Sequence, residues 1–73
     1  MTIEIIKEKT TLAELQKKVG GYIELVALGN GNQLIVDEDA QLKGKLPNKE
    51  ASALAGVPIA GPAVILESIE CLD

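Results

Sequence analysis

A cluster of lysines is the feature of this sequence that could most directly bind a ligand. Lys43, Lys45 and Lys49 surround Asn48 and account for three of the seven lysines in a chain whose formal charge is -4. Asn48 also stands where it would begin a helix over residues 49–55, and the free N–H groups at a helix start favour an anion. The spacing predicts a site for a phosphate or another nucleotide-sized anion. The alternative is a solvated loop in which the lysines keep the protein soluble.

Tyr22 is the only aromatic residue, and it directly follows Gly20 and Gly21. Its ring could stack on a base, as aromatic rings do in nucleotide sites. The alternative is that the ring packs against the helix that ends at these glycines. The candidate ligand-binding residues are therefore Tyr22 for stacking, Asn48 for polar recognition, and Lys45 and Lys49 for charge.

Residue types that most catalysis and metal binding require are absent from the sequence. It contains no His and no Arg, and its single cysteine, Cys71, has no neighbour in sequence that would activate it. Asp37, Glu38 and Asp39 are consecutive, so in a strand they point to opposite faces and indicate a solvated strand end, not an ion site. Catalysis by Lys, Asp or Glu alone is possible, but no spacing indicates such a pair. We expect no catalytic residue, no metal site, no cofactor and no enzymatic activity.

Charge, hydropathy and length limit the partners. The negative charge disfavours binding to DNA or RNA duplexes through their phosphates. The apolar run 63–66 is far too short to span a membrane, and the acidic start of the chain lacks the basic and apolar regions of a signal peptide, so we expect a soluble intracellular protein. We expect the 73 residues to form one domain, 1–73. A domain of this size has a small core, and with one cysteine it has no internal disulfide, so its stability is marginal. Self-association is a common way in which such small domains are stabilised. We expect a homo-oligomer.

Local patterns predict an α+β fold: a small single domain of the order β-α-β-β-(loop)-α-β, with a largely antiparallel sheet and one or two short helices. A capping box at Thr11 and Glu14 begins the first helix, and Gly20-Gly21 ends it. The run Gly29-Asn30-Gly31-Asn32 indicates a hairpin turn. The predicted strands are residues 2–8, 22–28, 33–38 and 63–69. The predicted helices are one of about two turns between Thr11 and Gly20 and a short one over residues 49–55.

Side-chain alternation predicts which residues of these strands face the core. Ile3 and Ile5 share one face of the first strand, and Ile23, Leu25 and Ala27 are expected to face inward from the second. The segment 63–69 is apolar on both faces, which is typical of a central strand or of one pressed against another subunit. Residues 39–47 are expected to form a loop, with a possible short strand at 41–43.

Three segments of the chain resemble a known family. Leu15-Gln16-Lys17-Lys18-Val19-Gly20-Gly21-Tyr22-Ile23-Glu24 is similar to the L-Q-x-x-V-G-G-Y-I-E core of a small domain-of-unknown-function family common in bacteriophages and mobile elements. The segment from Leu34 to Gly44 resembles its V-V-N-E-E-G-K-L-K-G stretch, and Leu46-Pro47-Asn48 resembles its L-P-x-N element. The resemblance implies a small phage-encoded accessory protein and assigns no enzyme activity.

Proteins of this kind resemble anti-defence factors, one class of which sequesters a nucleotide immune signal without catalysis. The resemblance therefore implies a phage-derived binding protein in the host cytoplasm that holds a small anionic nucleotide, cyclic or derived from ADP-ribose, in an oligomeric scaffold. The alternative is an acidic protein-interaction module that binds and inhibits a host protein through an exposed aliphatic strand at residues 63–69.

Overall fold

The secondary structure follows the predicted β-α-β-β-α-β order. The computed structural model describes residues 3–72. Its elements are β1 (Glu4–Ile6), α1 (Leu12–Val19), β2 (Ile23–Ala27), β3 (Gln33–Asp37), α2 (Lys49–Ala55) and β4 (Ala63–Leu66), followed by a 3-10 turn at Ile69–Cys71. The α+β class is confirmed. The predicted first strand began at Thr2, which lies outside the described residues.

The four strands form one sheet in the order β1-β4-β3-β2. β1 runs parallel to β4, whereas β4 with β3 and β3 with β2 are antiparallel pairs, so the sheet is largely antiparallel as predicted. All four residues of β4 are buried. The apolar character of this segment on both faces is therefore explained by its central position. Ile69 is not part of the strand and is 49% exposed.

Two apolar clusters cover the two faces of the sheet. Strand alternation sends the side chains of β3 and β4 to opposite faces, where each set meets a different helix. The cluster on one side joins α1 to the sheet and comprises Leu15, Val19, Ile35, Val64 and Leu66. The cluster on the other side includes α2 and comprises Leu34, Val36, Ala51, Ile59, Ala63 and Ile65.

Both ends of α1 lie where the sequence predicts them, but the Glu14 side chain does not bond as in the predicted capping box. The Thr11 hydroxyl accepts a hydrogen bond from the Glu14 N–H at 3.2 Å. The Glu14 carboxylate accepts from the hydroxyl of Thr10, at 2.8 Å, where a standard capping box uses the backbone N–H of the N-cap residue. Gly20 takes a left-handed conformation and its N–H donates to the Gln16 carbonyl at 2.8 Å. The bonds made by Thr11 and Gly20 satisfy backbone groups that a helix end otherwise leaves without partners.

The turn between β2 and β3 is the predicted hairpin. The Leu28 N–H donates to the Asn32 carbonyl at 3.1 Å. Gly29 and Gly31 have positive φ, whereas Asn30 does not and instead accepts the Asn32 N–H on its side-chain oxygen. The glycines on either side of Asn30 thus supply the conformations that the turn requires.

The predicted inward orientation of Leu25 and Ala27 and the possible strand at 41–43 are wrong. Leu25 is 41% exposed and Ala27 is also exposed, because β2 is an edge strand and the short helix α1 reaches only its Ile23 end. Ile5 is 56% exposed on the opposite edge strand. Residues 41–43 form turns and not a strand. Among residues 3–72, no helix has the length and apolar character needed to cross a membrane.

Candidate functional site

Two of the clustered lysines bind a single buried carboxylate. The Nζ atoms of Lys43 and Lys45 lie 2.9 and 2.7 Å from Oδ2 of Asp37, whose side chain has no exposed surface. The other carboxylate oxygen, Oδ1, accepts the Asp39 N–H at 3.0 Å. We call Asp37, Lys43 and Lys45 the Asp37 cluster. The prediction that Asp37 belongs to a solvated strand end is wrong.

The Asp37 cluster joins three parts of the chain. Asp37 is the last residue of β3, and its side chain lies on the sheet face that α1 covers. The Lys45 ammonium also donates to the Val19 carbonyl at 2.7 Å, and the Lys43 ammonium donates to the Gly20 carbonyl at 3.2 Å. Carbonyls at a helix C-terminus carry partial negative charge, so the two lysines bind the end of α1 as well as the carboxylate.

Electrostatics in this cluster favour the ionised carboxylate. Hydrogen bonds from Lys45, from Lys43 and from the Asp39 N–H together hold the pKa of Asp37 well below its usual value of 3.8, despite the opposing effect of burial. Two ammonium groups face one carboxylate, so the Asp37 cluster carries an excess positive charge. The side chain of Lys43, which is 41% exposed, brings part of that charge to the surface.

Three glycines leave room for the lysine side chains. A Cβ on Gly20 would lie 2.9 Å from the Lys45 Nζ, and one on Gly61 would lie 2.8 Å from the Lys45 Cδ. Gly21 does not have positive φ, but a Cβ there would lie 2.9 Å from Oδ1 of Asp37 and closer still to the Lys43 Nζ. The Gly20-Gly21 pair therefore does more than end a helix. Gly21, a glycine beyond the one that a helix end requires, is the sequence signal from which this close packing could have been inferred.

A groove of about 350 Å³ borders the Asp37 cluster, and we call it the Tyr22 groove. The Tyr22 side chain is 70% exposed, so it is not packed into the core. The groove brings Tyr22 together with Lys43, the one lysine of the predicted cluster that we did not assign to the site. The lining residues are Gln16, Gly21, Tyr22, Asp39 and Lys43.

Asn48 and Lys49 lie apart from that groove. They line a separate depression with Pro47 and Glu50, at the start of α2. Asn48 is 1% exposed, its side-chain oxygen accepts the Ala51 N–H at 3.1 Å, and its amide nitrogen donates to the Gly61 carbonyl at 3.0 Å. Lys49 is exposed. Of the four predicted site residues, Tyr22 thus lines one depression, Asn48 and Lys49 line another, and Lys45 is held between Asp37 and α1.

Leucines on the turn segment 38–47 form a further exposed feature. Leu42 is 88% exposed and Leu46 is 73% exposed, although Lys43 and Lys45 fix the segment to Asp37. Leu42 also lines a groove of about 310 Å³ that includes Glu24, Glu38 and Pro58. Within residues 3–72, no group of three or more His, Cys, Asp or Glu side chains has the arrangement of a metal site.

Comparison with known proteins places the chain in a family. A family model described as Domain of unknown function (DUF3846) matches residues 1–71. The chain belongs to the DUF3846 family. No curated protein and no solved structure matched it. The predicted membership in a family of unknown function is confirmed, whereas the bacteriophage setting remains a prediction.

Proposed function

We propose that this DUF3846 protein binds a small anionic nucleotide in the Tyr22 groove and holds it without altering it. The observation that carries the proposal is the exposed Tyr22 ring in the same groove as the Lys43 ammonium. A base that stacks on Tyr22 would bring its phosphate within reach of Lys43. This pairing of an aromatic face with a fixed positive charge is typical of nucleotide recognition.

The contacts of the Lys43 ammonium favour the binding of a phosphate. An ammonium has three N–H donors, and the Gly20 carbonyl and the Asp37 carboxylate use two of them. The same contacts hold the side chain in place before a ligand arrives, which reduces the entropy lost on binding. The second ammonium, on Lys45, prevents Asp37 from cancelling the charge of Lys43 entirely.

In our proposal, the other residues of the Tyr22 groove bind the ribose and the base of the nucleotide. The Asp39 carboxylate accepts a hydrogen bond from a ribose hydroxyl, and the Gln16 amide binds a base edge. Gly21 has no side chain, so a ligand can approach the backbone closely beside Tyr22. The role first assigned to Lys45 changes from direct contact with the ligand to positioning of the Asp37 cluster.

For the biological setting we propose a phage-encoded protein that sequesters a nucleotide immune signal in the host cytoplasm. This part of the proposal rests on the resemblance of Leu15–Glu24 and Leu46-Pro47-Asn48 to phage and mobile-element proteins. Sequestration requires affinity and not turnover, which suits a chain without His or Arg. A cyclic dinucleotide or an ADP-ribose derivative has both the base and the phosphates that the Tyr22 groove would bind.

Calorimetric titration of the full chain with cyclic di-AMP, ADP-ribose and uncharged adenosine tests the proposal. We expect one of the two anionic probes to bind and adenosine to bind much more weakly. Loss of stacking in Tyr22→Ala should weaken binding about tenfold or more, whereas Tyr22→Phe should retain it. Lys43→Met should weaken binding as well, and Lys49→Ala is the matched control that should not. A loss in Lys49→Ala with retention in Tyr22→Ala would place the site at the start of α2 and overturn the proposal.

A protein-interaction module is the second candidate, and the exposed leucines Leu42 and Leu46 favour it. The docking strand first suggested, 63–69, is not available because Ala63–Leu66 are buried in the centre of the sheet. In this alternative the protein inhibits a host protein by inserting these leucines into an apolar surface of that protein. Recovery of one stoichiometric host protein by the wild type, but not by Leu42→Asp combined with Leu46→Asp, would favour this candidate over nucleotide binding.

A further inference from the structure

β2 presents an open edge of the sheet. It is the last strand in the order β1-β4-β3-β2, and among residues 3–72 only β3 pairs with it. The unpaired side of such a strand carries backbone N–H and C=O groups that can pair with another strand. Because a sheet edge binds extended chain by backbone hydrogen bonds, its occupant must itself be a strand.

The pairing of β2 with β3 identifies which backbone groups of β2 point away from the sheet. The Tyr22 carbonyl accepts the Glu38 N–H at 3.0 Å, and the Leu28 N–H donates to the Asn32 carbonyl at 3.1 Å, so the even-numbered residues are the ones that bond towards β3. In an antiparallel ladder, the residues between them point their N–H and C=O groups the other way. Ile23, Leu25 and Ala27 therefore offer their backbone groups to a further strand.

The two edge strands of the sheet differ in how well they are protected against pairing with another strand. β1 is only three residues long, and the charged run Lys7, Glu8 and Lys9 follows it closely. Short length and charged residues are devices that block edge pairing. β2 has five residues without Lys or Pro, Glu24 is its one charged residue, and its continuous pairing with β3 contains no bulge. Leu25 exposes 41% of its surface in the middle of β2, so this edge is less protected than that of β1.

We propose that a second copy of this chain pairs with the open edge, with the two β2 strands antiparallel about a two-fold axis at Leu25. In this register Ile23 lies opposite the partner's Ala27, and every outward backbone group of the five residues finds a partner. The two Leu25 side chains meet on the face that carries α1, which covers their exposed apolar surface. The same patch serves both copies, so the interface closes as a dimer.

Charge disfavours the neighbouring register that has its axis at Glu24. With the axis at Leu25, Glu24 lies opposite the partner's Val26, and the strand brings no two carboxylates directly opposite each other. A shift of the axis to Glu24 would place the two Glu24 side chains opposite each other, which is destabilising. Pairing would also place the start of the partner's hairpin beside Tyr22, since residue 22 lies opposite the partner's Leu28. The dimer extends the sheet and does not depend on nucleotide binding.

Sedimentation analysis of the ligand-free full chain tests the dimer. At tens of micromolar we expect twice the 7.7 kDa mass of one chain for the wild type. Leu25→Lys should give the single-chain mass, because it places two like charges together at the axis. Ile5→Lys is the matched control, since Ile5 is an exposed aliphatic residue on the other edge strand, and it should remain a dimer.

A second variant distinguishes a loss of dimerisation from a folding defect in Leu25→Lys. Leu25→Pro removes an outward N–H and no hydrogen bond within the sheet, so it should keep the wild-type circular dichroism and still give the single-chain mass. A wild type of single-chain mass, or a Leu25→Lys variant that remains dimeric, would overturn the proposal. Dissociation of Ile5→Lys but not of Leu25→Lys would overturn it as well, by placing the interface at β1.

Discussion

The Lys45 ammonium lies 2.7 Å from the Asp37 carboxylate, and that carboxylate has no exposed surface. The same ammonium lies 2.7 Å from the carbonyl oxygen of Val19, the last residue of α1. One lysine therefore links the end of β3 to the end of α1. Together with Lys43 it also fixes the turn segment 38–47. The shape of the Tyr22 groove therefore depends on the ion pairs that Lys43 and Lys45 form with Asp37.

Replacing Asp37 with asparagine should destabilise the fold. The amide keeps the shape of the side chain but leaves the two ammonium groups without their counter-charge, and removing one partner of a buried pair is strongly destabilising. Thermal unfolding followed by circular dichroism should show a clear fall in midpoint for Asp37→Asn. The matched control is Glu38→Gln at the exposed neighbouring position, where we expect little change. Equal midpoints for the two variants would contradict the structural role of Asp37.

Acid should remove the contribution of Asp37. Because the pKa of Asp37 in the folded protein lies well below its usual value of 3.8, the folded state binds this proton less readily than the unfolded state does. The stabilisation is therefore fully present above about pH 5 and is lost as the pH falls through 4 and below. Urea unfolding from neutral pH down to about pH 3 should show a steeper loss of unfolding free energy in the wild type than in Asp37→Asn. Parallel pH profiles would contradict the assignment.

Gly61→Ala should cost more stability than Gly56→Ala. Both glycines have positive φ, where an alanine costs about 1–2 kcal/mol. A Cβ on Gly61 would also lie 2.8 Å from the Lys45 Cδ, whereas one on Gly56 would meet no atom within 4 Å. Chemical unfolding should show the difference, and it should shrink when Lys45→Ala is added, because the steric conflict is then gone. An undiminished difference in the Lys45→Ala background would show that Lys45 is not its cause.

Asn48→Ala should reduce stability by about 1–3 kcal/mol without changing nucleotide affinity, because it removes a helix cap and leaves the Gly61 carbonyl without its donor. Thr11→Ala is the matched control, since Thr11 caps α1 at an exposed position and should cost less. Chemical unfolding measures both variants. A selective loss of nucleotide affinity in Asn48→Ala, with unchanged stability, would restore Asn48 to the ligand site.

Much of the fold follows from local sequence signals. Thr11 and Glu14 indicate the start of α1, Asn48 and Gly56 bound α2, and Gly29–Asn32 indicates the hairpin, because each depends on residues only a few positions apart. The strand order could not be predicted in this way. The parallel pairing of β1 with β4 joins residues about sixty positions apart, and alternation within a strand does not identify its neighbour.

The candidate site depends even more on distant residues. Lys43 and Lys45 suggested a free anion site because they are close in sequence and the surrounding chain is polar. Their binding to Asp37 and to the end of α1 brings together residues up to 26 positions apart, which no spacing rule anticipates. Tyr22 is identifiable from the sequence as the one aromatic residue, but its neighbour in the groove is Lys43 and not Lys45 or Lys49.

Recovery of a captured nucleotide tests the central claim most directly. The purified chain is mixed with cyclic di-AMP or ADP-ribose, freed of unbound ligand by gel filtration and heated, and the released small molecule is identified by mass spectrometry. We predict that one of these nucleotides is retained and released chemically intact, and that Tyr22→Ala retains much less of it. Failure to retain either nucleotide, or release of a cleaved product, would contradict binding without turnover.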